Sequence, residues 1–148
     1  MPNTRNRILC VDKNEDAREM MECLLKGWNY EVAQAANASE GLDLARSAHF
    51  DMFLLDTHLP EISGIELCEQ LCKVPGHAPV VFISAAAYEA DKQRGLLAGA
   101  SAYLTKPLDF DKLELTLARL LSNVRAPVQR KDLNNRSRVS AQACLLLS

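Results

Sequence analysis

Three short runs in this chain are apolar without alternation: Ile8-Leu9-Cys10-Val11, Phe53-Leu54-Leu55 and Val80-Val81-Phe82-Ile83. A strand with one wet face alternates polar and apolar residues, so an unbroken run belongs to a strand covered on both sides. Between the runs lie stripes of helical period. Ala17, Met20, Met21, Leu24 and Leu25 fall at i, i+3, i+4, i+7 and i+8, which is one face of a helix. Leu113, Leu117, Leu120 and Leu121 form a similar stripe near the end. Residues 30–35 and 101–105 read as two further strands, giving five. Strands that alternate with helices require a parallel sheet with helices on both faces, an α/β fold.

Helix ends are marked as well. Asn37 with Glu40, Ser63 with Glu66, and Asp109 before the last stripe are N-cap signals. The second helix is expected to run to about Ala48 and the third to Leu71. Gly27 is expected to end the first helix, and Gly99 the weak fourth pattern at residues 88–97.

The strands close on groups with chemistry. Asp12 follows the first run, Asp56 the third strand, Ser84 the fourth, and Lys106-Pro107 the fifth. In an open parallel sheet, ligands bind outside the carboxyl ends of the strands. An acid, a hydroxyl and an amine therefore converge on one rim, a phosphate-handling arrangement. Each alone has a plainer reading: an aspartate capping a turn, a serine closing one, a solvated lysine before proline.

The length of 148 residues suits one core domain with a short appendage. Residues 124–148 hold five basic residues (Arg125, Arg130, Lys131, Arg136, Arg138) and the single acid Asp132, a net of +4. The first 123 residues then carry −6 of the chain's overall −2. A basic, aperiodic tail is expected to be a flexible linker. It lacks the interleaved aromatics of a nucleic-acid binder, and it is too short for a typical DNA-binding domain. No run reaches membrane length, and no signal-peptide core follows Met1, so a cytoplasmic protein is expected. Five cysteines (10, 23, 68, 72, 144) without a CxxC fit a reducing compartment. Cys68 and Cys72 stand four apart, but at core spacing, and read as packing rather than as a metal pair. A flavin carrier is disfavoured, because the acidic loop Asp12-Lys13-Asn14-Glu15-Asp16 would repel a phosphate.

The motifs ILCVD, LLDTHLPEISGIEL, VVFISA and YLTKP stand in fixed order. Asp12 and Asp56 are 44 residues apart, Asp56 and Ser84 28, and Ser84 and Lys106 22. On these motifs the chain from about Arg7 to Ser122 resembles the receiver domain of two-component response regulators. The resemblance implies a doubly wound, flavodoxin-like five-stranded sheet of order 2-1-3-4-5, with residues 1–123 as the receiver and 124–148 as the tail. It implies that Asp56 accepts a phosphoryl group from a phosphohistidine on a sensor histidine kinase or a phosphotransfer protein. Mg²⁺ would be held by Asp12, Asp56 and the backbone carbonyl of His58. Lys106 would neutralise a phosphoryl oxygen and Ser84 would hydrogen-bond another. Ser84 and Tyr103 would form the switch read by a downstream protein target, and the Lys106-Pro107 bond would be cis. A signalling module rather than an enzyme is expected, with no direct DNA or membrane contact; homodimerisation through the Tyr103 face is an analogy from the family.

The sequence departs from the family pattern at Lys13. Receivers usually carry two adjacent acids after the first strand, and here the pair is Asp12-Lys13. The exchange swings the local charge by two units beside a divalent cation, worth a few kcal/mol at ~4–6 Å and an effective dielectric of ~20. A weakened Mg²⁺ site is the expectation if Lys13 faces the pocket. Three arrangements are open: Lys13 extended into water while Glu15 or Asp16 assists the metal, Lys13 across the pocket in place of the cation, or a site that is simply weak. The alternative function is a pseudo-receiver, a phosphorylation-independent interaction module in which Lys13 disables the site. His58 is read chiefly for its carbonyl, its ring as an exposed loop side chain; the other reading has the ring obstruct or orient an attacking water.

Overall fold

The computed structural model describes residues 5–122. The chain forms β1 (Arg7–Val11), α1 (Glu15–Gly27), β2 (Glu31–Ala35), α2 (Ala38–Ser47), β3 (Met52–Leu55), α3 (Gly64–Cys72), β4 (Val80–Ser84), α4 (Glu89–Leu97), β5 (Ala102–Thr105) and α5 (Phe110–Ser122). The sheet is parallel throughout, in the order β2-β1-β3-β4-β5. The expected doubly wound fold is the one observed. The basic segment 124–148 lies outside the described residues. Among the described residues no helix is long and apolar enough to cross a membrane.

The three unbroken apolar runs are the three central strands. Every residue of β3 and β4 is buried, as is β1 after Arg7. The edge strands β2 and β5 are mixed in burial, as their sequences are. Because successive side chains point to opposite faces, each central strand feeds two cores. Ile8, Cys10, Met52, Leu54, Val81 and Ile83 pack with Leu24, Leu25, Leu113 and Leu117 on the α1/α5 side. Leu9, Val11, Phe53, Leu55, Val80 and Phe82 pack with Ala38, Leu67, Cys68 and Leu71 on the other side. Each fully buried aliphatic or aromatic side chain contributes roughly 1.5–3 kcal/mol by leaving water.

The caps follow the sequence. Asn37 accepts the N–H of Glu40 at 2.9 Å, Ser63 that of Glu66 at 3.2 Å, and Asp109 that of Lys112 at 3.1 Å. The Glu40 carboxylate accepts from Ala36 N–H (3.0 Å), one residue before the cap. The first helix ends at Gly27, as expected. Gly27 is the last helical residue, Trp28 is the C-cap, and the left-handed residue is Asn29 at φ 72. Asparagine tolerates that region better than other side chains, so the chain turns two residues beyond the glycine. Gly99, at φ 115, does follow α4.

One glycine fixes the loop that follows Asp56. Gly64 donates its N–H to Thr57 O at 2.9 Å, and a Cβ at this position would lie 1.9 Å from Asp56 O. Only a residue without a side chain lets α3 start so close to the end of β3. Gly64→Ala is therefore expected to lower stability by about 3 kcal/mol, read as a fall in the urea midpoint at unchanged m.

Candidate functional site

The chain order reverses its winding between β1 and β3, and their carboxyl ends flank the crevice this creates. The register Val11↔Leu55 sets Asp12 and Asp56 side by side, one residue beyond each strand. Both are almost buried, at 8% and 9% exposure. Alternation sends their side chains to the α1/α5 side, continuing Cys10 and Leu54. Lys106 follows Leu104 by two residues on β5 and takes the same side. Its Nζ lies 3.5 Å from Asp12 Oδ2 and 3.5 Å from Asp56 Oδ2.

The second oxygen of each carboxylate is held by backbone. Asp12 Oδ1 accepts from Asn14 N–H at 2.9 Å, and Asp56 Oδ1 accepts from His58 N–H at 3.0 Å. Arg18 Nη1 donates to the Asp12 carbonyl at 2.6 Å, tying the loop to α1. These bonds orient both carboxylates so that Oδ2 of each faces Lys106. The Lys106-Pro107 peptide bond is cis.

Below the carboxylates lies a cavity of about 360 Å³ walled mostly by apolar groups, among them Cys10, Met20, Met21, Leu54, Ile83 and Leu108. Asp16, in the first turn of α1, lines its mouth. Apolar walls place poorly polarisable material behind the charges and strengthen their mutual interaction. Cys10 is the other potential nucleophile here. Burial pushes its thiol up to about 12, with the Asp12 charge adding to the effect.

Ser84 is brought to the same rim but faces the other way. It follows Phe82 by two residues and points to the α3/α4 side, fully buried. Its Oγ accepts from Ala86 N–H at 3.1 Å and is hydrogen-bonded to Thr57 Oγ1. Thr57 Oγ1 also lies 3.1 Å from His58 Nδ1. Tyr103, on the same face, stacks obliquely on Phe82 at 5.7 Å, and its hydroxyl donates to Ala86 O at 2.7 Å. The sequence reading missed Thr57, although counting alternation past Leu55 would have set it on the side of Ser84.

Lys13 is exposed and borders a cleft with Thr57, His58 and the loop up to Ser63. The ammonium between the two carboxylates is that of Lys106. Asp12, Asp56 and the adjacent His58 backbone form a set of hard oxygen donors, which suits Mg²⁺ chemically. Cys68 and Cys72 lie with Sγ atoms 4.0 Å apart, facing the Ala98 and Gly99 carbonyls at 3.7 Å. They fill the seam between α3 and the turn after α4.

A family model described as the response regulator receiver domain matches residues 8–118. The transcriptional regulatory protein ZraR of Klebsiella oxytoca is 37% identical over 118 residues, covering 80% of this chain and 27% of that protein. The response regulator ArlR of Staphylococcus aureus is 33% identical over 124 residues, 84% of this chain and 55% of its own length. The chain thus spans between about a quarter and a half of these curated relatives. A CheY-like response regulator receiver domain from Methanospirillum hungatei superposes with a TM-score of 0.77 at 30% identity, covering 81% of this chain and 96% of that one.

The thiols offer a check on the packing of the two cores, Cys10 in one and Cys68 in the other. Burial holds the Cys10 and Cys68 thiols near 12, from an ordinary 9.0. At pH 8 both therefore stay in the unreactive thiol form. Native protein treated with iodoacetamide at pH 8 should label at exposed Cys23 and leave Cys10 and Cys68 unmodified until urea is added. The unfolded chain ionises these thiols first, so stability should fall as pH rises from 9 toward 12.

Proposed function

The chain belongs to the response regulator receiver domain family, and from that premise we propose that Asp56 accepts a phosphoryl group from a phosphohistidine on a sensor histidine kinase or phosphotransfer protein. The receiver unit is residues 1–123, and its phosphorylated form is read by a downstream protein. The observation that carries this reading is the Lys106 ammonium set 3.5 Å from Oδ2 of both Asp12 and Asp56.

The chemistry follows from the oxygens. Asp56 Oδ1 is occupied by the His58 N–H, so Oδ2 is the atom that attacks phosphorus. The new O–P bond forms as the P–N bond to the donor imidazole breaks, its electron pair returning to the ring. A carboxylate is a weak nucleophile, and in-line transfer depends mostly on positioning and on neutralising the phosphoryl oxygens. Asp12, Asp56 and the His58 carbonyl would hold Mg²⁺, which supplies positive charge to those oxygens when bound. Lys106 exchanges its contact with the carboxylates for one with a phosphoryl oxygen. Ser84 donates to another once it turns from Thr57.

Tyr103 is the second element of the switch. Its hydroxyl is tied to Ala86, whose N–H in turn rests on Ser84 Oγ. Moving Ser84 breaks that bond and loosens the segment that anchors the ring, a change of packing between two discrete arrangements. Output passes through protein contact rather than direct binding of DNA by this unit.

Lys13 modifies the site by adding positive charge near its rim, lowering Mg²⁺ affinity. The pseudo-receiver alternative gains no support, because the Lys13 ammonium is exposed and outside the carboxylate pair.

Intact-mass spectrometry after incubation with acetyl phosphate and Mg²⁺ tests the reading. Wild type should gain about 80 Da, Asp56→Ala should not, and Lys13→Asp should reach the same occupancy at lower Mg²⁺. An adduct that survives in Asp56→Ala would contradict the assignment.

A further inference from the structure

Building on the reading of Asp56 as phosphoryl acceptor, we propose that Thr57 is a positioning residue that holds the Ser84 hydroxyl away from Asp56 and so sets the balance between resting and phosphorylated arrangements.

The pleat of the sheet makes the case. On β3 and β4 the paired residues are Phe53↔Val80, Leu54↔Val81 and Leu55↔Phe82. Two steps further the same register sets Thr57 opposite Ser84. Both continue the row of Leu55 and Phe82 on the α3/α4 side, while Asp56 continues the row of Leu54 on the α1/α5 side. The serine and the acceptor carboxylate therefore leave the sheet from opposite faces.

The hydrogen bonds account for what keeps Ser84 there. Ser84 has no exposed surface, so water does not serve its hydroxyl. Ala86 N–H fills one lone pair of Oγ at 3.1 Å, and the Thr57 hydroxyl is its other partner. A buried hydroxyl without a partner is costly. Ser84 therefore stays with Thr57 until a phosphoryl oxygen on Asp56 offers a charged acceptor, a stronger partner. Thr57 does not lose by the exchange, because its Oγ1 keeps the 3.1 Å contact with His58 Nδ1. Deleting the Thr57 hydroxyl thus costs the His58 contact in both states, which cancels, and the Ser84 bond in the resting state alone.

A valine at position 57 keeps the shape and removes the hydroxyl. One neutral hydrogen bond corresponds to about a fivefold change in an equilibrium. Beryllofluoride, a phosphoryl mimic, is titrated calorimetrically with Mg²⁺ into the full chain. Thr57→Val should bind it about fivefold more tightly than wild type, and Thr57→Ser should match wild type. In a Ser84→Ala background the Thr57→Val gain should vanish, which a merely structural role for Thr57 would not produce. In protein free of ligand, the Ala86 amide resonance should shift in Thr57→Val and stay in place in Thr57→Ser. Unchanged or weaker binding by Thr57→Val, or a gain that persists without Ser84, overturns the inference while leaving Asp56 as acceptor. No binding by wild type overturns both.

Discussion

The pairing of β1 with β3 is the constraint on which the site depends. These strands are consecutive in neither sequence nor winding, yet their register puts Val11 against Leu55. Every residue beneath is apolar and buried, so a slip of one position would send Leu9, Val11, Phe53 and Leu55 to the wrong core. Two hydrophobic layers thereby hold two carboxylates beside each other at the rim. The charges would repel, and the arrangement persists because Lys106 arrives from β5 on the same face. The apolar sheet determines the position of the acids, and the single lysine makes that position tolerable.

The same geometry gives the place between the two carboxylates to Lys106 and not to Lys13. The residue after Asp12 leaves the strand end on the other side of the chain, and a long side chain there reaches solvent readily. Its neighbours are the loop after Asp56 and not the carboxylates themselves. The Asp12–Lys106–Asp56 contact forms with lysine at position 13.

Much of the fold was legible because the central strands have no polar face to confuse the pattern. Unbroken runs announced β1, β3 and β4, and the mixed runs proved to be the edges β2 and β5. Caps at Asn37, Ser63 and Asp109 were readable because a side-chain oxygen three residues before a free N–H is a local arrangement. The left-handed turn at Asn29, two residues past the end of α1, was not, since Gly27 and Asn29 both tolerate that conformation. Glu114 was equally hidden. It stands beside Leu113 in the α5 stripe and is buried at 1% exposure, and periodicity does not mark a charged residue as interior. For the site, the sequence placed Asp12, Asp56, Ser84 and Lys106 on one rim. It did not separate them by face, because a motif gives position along the strand while the pleat gives direction.

That separation gives the domain two compartments joined by the sheet edge. On the α1/α5 side are the carboxylates and lysine, which handle charge. On the α3/α4 side a chain of neutral hydrogen bonds runs from Thr57 through Ser84 and Ala86 to Tyr103. Neutral bonds of this kind are individually worth about 1 kcal/mol, small enough for one charged acceptor to outbid. A resting state held by salt bridges would need a much larger signal to displace it. On the proposed reading, a phosphoryl group that drew Ser84 across the edge would take it from both Thr57 and the Ala86 N–H. Tyr103, the bulkiest member, would on that reading convert the exchange into a change of surface shape.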